Sequence, residues 1–206
     1  MGRFIVTKLD SERTLDNKTK HTIYTIPNIL TMMRIVAIPV IVLVYYLPFE
    51  SKYIVAALLF AGAAFTDWLD GFLARRWQQG SALGAFLDPV ADKLMVAVVL
   101  VLLVESHASA WLAIPAVVII GREITISALR EWMAEVGKRA SVAVSYVGKV
   151  KTSVQMLAIT GLLANPPGLD NPVVIAAYVV LYIATALTLW SMAVYLKAAW
   201  PILKEA

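Results

Sequence analysis

Hydrophobic and polar positions in this chain fall into long blocks rather than a fine alternation. Six apolar stretches, residues 29–47, 53–77, 85–104, 111–132, 147–164 and 173–196, are separated by short polar breaks. Most approach the roughly 20 residues that an α-helix needs to cross about 30 Å of hydrocarbon at about 1.5 Å per residue. The breaks at 48–52, 105–110 and 165–172 carry Pro, Gly, Ser and Asn, which end helices. Helices joined this briefly run antiparallel to each other. The pattern predicts an all-α, polytopic membrane bundle of six transmembrane helices. Residues 1–22 are polar, of mixed charge and without an apolar period, and are expected to form a flexible tail ahead of one transmembrane domain, 23–206. They lack the apolar centre of a signal peptide. Between tail and bundle, Ile26-Pro-Asn28-Ile-Leu-Thr31-Met-Met-Arg34 predicts a short interfacial helix leading into the first span, with Arg34 snorkelling to the headgroups.

Composition supports the membrane reading. Of 206 residues 60% are hydrophobic and 16% charged, against about 25% charged in a soluble domain, and mean hydropathy is +0.76. There is no cysteine, which excludes disulfides, a thiol nucleophile and thiolate metal sites. His21 and His107 lie near no other candidate ligand in sequence. A metal site here would be built from oxygen, which suits hard ions such as Mg²⁺ or Mn²⁺. No nucleic-acid partner is expected; the surroundings are membrane lipids.

The charges fall on one side. Arg34 lies early in the first span, Asp67, Asp70, Arg75 and Arg76 late in the second, and Asp88, Asp92 and Lys93 early in the third. Arg122, Glu123 and Arg130 lie late in the fourth, Lys149 and Lys151 early in the fifth, and Lys197 follows the sixth. With alternating spans all of these share one face, and of the 18 Lys and Arg only Lys52 falls on the other. The positive-inside rule makes that face cytoplasmic, with both termini.

Ionisable groups at membrane depth are costly and usually functional. Asp67 and Asp70 share one helix face, as do Asp88 and Asp92. The break at 78–82 makes their helices antiparallel, so the two pairs can face each other. Four ionised carboxylates repel, and the nearest cations in sequence, Arg75 and Lys93, do not neutralise them. Either some stay protonated or divalent ions bind. Two ions bridged by carboxylates suit in-line phosphoryl chemistry. Gly71, Ala74 and Gly84 leave little bulk beside the acids, so that a ligand can reach backbone; such residues serve equally in helix packing.

Written out, the pattern is Asp67-x2-Asp70-Gly71-x2-Ala74-Arg75-x8-Gly84-x3-Asp88-x3-Asp92. Here the chain resembles the CDP-alcohol phosphotransferase family, and every position of that family's signature is filled. The resemblance implies transfer of a phosphatidyl group from a CDP-linked lipid, CDP-diacylglycerol, to an alcohol, with release of CMP. It implies that Asp67, Asp70 and Asp88 hold two divalent cations, Mg²⁺ or Mn²⁺, with Asp92 counted at the same metal site and acting as the base for the acceptor hydroxyl. Gly71, Ala74, Arg75 and Gly84 would border the nucleotide, with Asn28, Thr31 and Arg34 as further donor contacts. A homodimer is implied as well.

The acceptor is read from the basic residues. Arg122, Lys149 and Lys151 lie deep on the face expected to oppose the acids, and Lys138 and Arg139 lie in the connection between the fourth and fifth spans. Such a cluster suits an acceptor that carries its own phosphate, although Lys138 and Arg139 would equally anchor lipid headgroups. The runs 66–76, 84–93, 122–135 and 137–152 resemble the family members whose acceptor is sn-glycerol 3-phosphate. Serine, phosphatidylglycerol or an inositol phosphate as acceptor stay open as alternatives. So does a divalent-cation or proton-coupled transporter, which would place acids near the midplane with a path to both faces.

Overall fold

The computed structural model describes residues 26–77, 82–136 and 146–205. The tail, residues 1–22, lies outside them. The described chain forms six helices: α1 (Ile26–Tyr46), α2 (Lys52–Trp77), α3 (Ala82–His107), α4 (Ala110–Glu135), α5 (Tyr146–Leu163) and α6 (Pro172–Glu205). Each apolar block of the sequence gives one helix, and no strand occurs among the described residues. By length and composition α1, α4 and α6 are sufficient to cross a membrane. The segment expected to form a separate interfacial helix, from Ile26 to Arg34, is instead continuous with the rest of α1. At the other end of the chain, α6 runs past the last apolar block, through Pro201 to Glu205.

The helix ends follow local chemistry. Ala108 closes α3 with a left-handed φ of 43°, an uncommon conformation for alanine. Its amide donates to the Val104 carbonyl at 3.1 Å. The first turn of α4 then bonds to the Ser109 carbonyl through the Leu112 and Ala113 amides. Asn171 caps α6: its side-chain oxygen accepts from the Val173 amide at 2.9 Å and its carbonyl from the Val174 amide at 3.0 Å. Pro172 takes the first helical position, where its missing N–H costs nothing.

Neighbours in sequence are not always neighbours in space. α1 packs on α2 and α3, α2 also on α5, α5 on α6, α6 on α4, and α4 on α3. The helices therefore close a ring in the order α1, α2, α5, α6, α4, α3, and α3 also touches α5 across it. The core holds Ile41, Phe60, Leu100, Leu112, Ile159 and Leu181, each fully buried. The outer surface is also apolar; Leu58, Val117, Leu157 and Trp190 are each about two-thirds exposed, as on a lipid-facing surface. Gly161 allows close contact of α5 with α6, since a Cβ there would stand 3.2 Å from the Ala177 Cβ.

Cross-helix bonds fix directions. Tyr45 donates to Ser106 at 2.9 Å, while Arg34 reaches Asp92. α1 and α3 are therefore parallel. Contacts of Arg34 with Asp67 and of Tyr45 with Tyr53 make α1 and α2 antiparallel. The acids and the buried cations consequently gather at one end of the bundle. At the other end, Pro115 cannot donate to the Trp111 carbonyl one turn back. Tyr182 of α6 donates to that carbonyl instead, at 2.9 Å, so a neighbouring helix satisfies the backbone group that proline leaves free. Tyr182→Phe should therefore lower stability in detergent by about 0.5–1.5 kcal/mol. Its cost should shrink in a Pro115→Ala background, where an amide can reach the carbonyl. Denaturant titration of the four proteins checks this, and equal costs in both backgrounds would contradict it.

Candidate active site

The acidic end is built where α2 finishes and α3 begins. Asp67, Asp88 and Asp92 line one cavity of about 730 Å³. α4 and α5 supply its far wall, with Glu123, Thr152, Ser153, Gln155 and Met156. The contact of α3 with α5 across the ring brings these walls together.

α1 supplies the counter-charge. Arg34 is 1% exposed. Its Nη1 donates to Asp67 Oδ1 at 2.7 Å and also to Asp92 Oδ1. Thr31, fully buried three residues earlier on the same face, donates its hydroxyl to Asp88 Oδ1. Asn28 is buried on that face as well. The sequence reading made Arg34 a snorkelling anchor. The structure corrects this: the side chain points inward because two carboxylates from α2 and α3 need a cation more than the headgroups do. Asp67 and Asp92 keep 42% and 38% of their side chains exposed, leaving them open to a ligand while Arg34 holds them from behind.

The other candidate residues divide. Gly84 is buried in the first turn of α3. Asp70, Gly71, Ala74 and Arg75 lie on the α2 helix, but their side chains are outside what is described, as is that of Lys149 at the start of α5. Lys138 and Arg139 lie wholly outside the described residues.

Arg122 and Lys151, assigned from sequence to an acceptor phosphate, do not line the cavity. Both are bonded to Glu123, which does. Lys151 Nζ stands 2.7 Å from Glu123 Oε1, and Arg122 Nη1 stands 2.9 Å from the same oxygen. Arg122 Nη2 also donates to Ser191 of α6 at 3.1 Å. Lys151 is 2% exposed, so its charge depends on this pairing.

Sequence reasoning gave Glu123 and Gln155 no role. Glu123 had a signal, being an acid inside an apolar span. The signal of Gln155 was a polar side chain one turn beyond Lys151 on the same face.

The donor set around the cavity is oxygen on the acidic wall, and the guanidinium between Asp67 and Asp92 marks where positive charge is favoured. Oxygen ligands suit a hard divalent cation, but among the described residues no three acids stand close enough together to hold one, and the side chain of Asp70 lies outside them.

Residues 24–190 match the CDP-alcohol phosphatidyltransferase family. A relative from Yersinia pestis (strain Pestoides F) is 59% identical over 180 residues, covering 87% of this chain and 97% of its own length. One from Pseudomonas fluorescens is 57% identical over 180 residues, covering 87% and 92%. One from Pectobacterium atrosepticum is 57% identical over 176 residues, covering 85% and 95%. Each of the three bears the name CDP-diacylglycerol--glycerol-3-phosphate 3-phosphatidyltransferase. With the family matched over most of its length and the complete acidic spacing at the end of its bundle, this chain belongs to the CDP-alcohol phosphatidyltransferase family.

Proposed function

We propose that this chain transfers the phosphatidyl group of CDP-diacylglycerol to the 1-hydroxyl of sn-glycerol 3-phosphate, giving phosphatidylglycerophosphate and CMP. The observation that carries the reading is the convergence of Asp67, Asp88 and Asp92 from two helices on one cavity. The chain also shares 57–59% identity with relatives bearing the name of that activity.

Asp67, Asp70 and Asp88, with Asp92 beside them, are the residues that would hold two divalent cations, Mg²⁺ or Mn²⁺; bound there, the ions would screen the charge of the donor pyrophosphate and of departing CMP. Arg34 and Thr31 orient three of these carboxylates. Asn28, Gly71, Ala74, Arg75 and Gly84 complete the donor side. Asp92 accepts the proton of the acceptor hydroxyl, the alcohol oxygen bonds to the lipid-side phosphorus, and the bond from that phosphorus to CMP breaks. The proton on Asp92 then leaves through the exposed side of the carboxyl group. An aspartate in this position acts as a general base, and a direct displacement needs no covalent enzyme intermediate.

The acceptor phosphate belongs on the α4–α5 side, with Arg122, Lys149 and Lys151, and with Lys138 and Arg139 from the connection. Because Glu123 holds Arg122 and Lys151, an incoming phosphate would compete with that carboxylate for them. In the membrane, all six helices span, both termini and the cavity face the cytoplasm, and two copies form a homodimer.

Purified protein with Mg²⁺ and CDP-diacylglycerol should release CMP at least about 100-fold faster with sn-glycerol 3-phosphate than with serine or an inositol phosphate. Preference for another acceptor would contradict the substrate. No CMP with any acceptor, together with ion flux in vesicles, would contradict the reaction class. Asp92→Asn should keep CDP-diacylglycerol binding while kcat falls by about 10²–10⁴, and normal turnover would remove Asp92 as the base.

The charge group on α4 and α5 generates a stability prediction. Glu123→Gln strands both Lys151 and Arg122, whereas Lys151→Met leaves Glu123 paired with Arg122. The first should cost about 2–3 kcal/mol, the partial exposure of Glu123 keeping it below a fully enclosed pair. The second should cost clearly less. Unfolding in detergent measures both, and the reverse order would contradict the pairing.

A further inference from the structure

Gln155 is a polar side chain that neither the acids nor the buried cations explain. It is 3% exposed, lies in α5, and forms part of the cavity wall. Its Oε1 is buried and finds no hydrogen-bond partner among the described residues. A buried carbonyl left unpaired costs about 1–3 kcal/mol, a standing penalty in so apolar a helix unless a ligand relieves it. The cavity it borders also holds Asp92, Asp88 and Glu123.

We infer that Gln155 is a specificity-determining residue that reads the secondary, C2 hydroxyl of the acceptor. The inference rests on the acceptor being sn-glycerol 3-phosphate. Three features of the position support it. Gln155 stands on the α4–α5 wall, opposite the carboxylates on which the donor chemistry is placed. It lies one turn deeper in α5 than Lys151, on the same helix face. One turn, about 5.4 Å, is on the scale of a three-carbon acceptor whose phosphate stays toward the basic end and whose C1 hydroxyl reaches Asp92. The ligand chemistry also matches. A hydroxyl both donates and accepts, so it satisfies the amide in either orientation of its oxygen and nitrogen. A fully ionised phosphate or carboxylate has no hydrogen to donate to the unpaired carbonyl.

A site that hydrogen-bonds a substrate hydroxyl rejects the analogue lacking it, because the buried partner is then left unpaired. The probe is 3-hydroxypropyl phosphate, which keeps the phosphate and the attacking primary hydroxyl but has no C2 hydroxyl. Wild-type protein in detergent, with Mg²⁺ and CDP-diacylglycerol, should use sn-glycerol 3-phosphate about 10–100-fold better in kcat/KM than this analogue. Gln155→Met preserves volume and removes the carbonyl. It should bring the ratio to within about 3-fold, chiefly by loss on glycerol 3-phosphate, with the KM for CDP-diacylglycerol unchanged. A purely structural role would lower both acceptors together and leave the ratio intact, which would overturn the inference. Equal use of the two acceptors by wild type would also overturn it, and this arm does not depend on how the variant folds. If wild type turns over neither acceptor, the proposed reaction itself falls, and this assignment with it.

Discussion

Carboxylates inside an apolar bundle need a compensating charge, and Arg34 supplies it. Its guanidinium bonds Asp67 of α2 and Asp92 of α3 from a fully buried side chain, while Thr31 holds Asp88 from the same face of α1. Removing one partner of such a group leaves an uncompensated buried charge, among the costlier single defects in a protein interior. The packing of α1 against both acid-bearing helices is thus an electrostatic requirement as well as an apolar one. The arrangement leaves the other edges of the carboxylates open to the cavity, where a ligand can reach them.

A second charge group stands across that cavity. Glu123 bonds Lys151 and Arg122, and Arg122 continues to Ser191 on α6. On one wall Asp67 and Asp92 face the cavity with an arginine behind them and Asp88 with a threonine, and Lys93 lines the same wall; on the other a glutamate faces it with two cations behind. Phosphate-bearing substrates entering between the walls would exchange these internal pairs for new ones.

Much of this was legible in the residues. The six helices were readable because Pro, Gly, Ser and Asn cluster between apolar blocks, and Asn171-Pro172 or the stretch around Ala108 do in the structure what such residues do locally. The aspartates were readable from their cost at that depth. The identity of their counter-charge was not. Arg34 is 33 residues from Asp67 and 58 from Asp92, whereas the cations near the acids in sequence are Arg75 and Lys93. Nor did spacing reveal the ring order, in which α2 meets α5 and α4 meets α6. That order decides which α5 residues face the acids, so Gln155 could not be placed from sequence. The charges of Arg122 and Lys151 were visible, but the partner that turns them toward Glu123 rather than the cavity depends on packing between helices.

As proposed, the acids at the ends of α2 and α3 would hold divalent cations on the side that faces the α4–α5 wall. Anomalous diffraction from crystals soaked in Mn²⁺ examines that arrangement without reference to turnover. Two anomalous peaks should appear at the cavity, bounded by Asp67, Asp70 and Asp88 with Asp92 adjacent. Manganese bound only elsewhere, with Arg34 still bridging Asp67 and Asp92 at saturating metal, would contradict it.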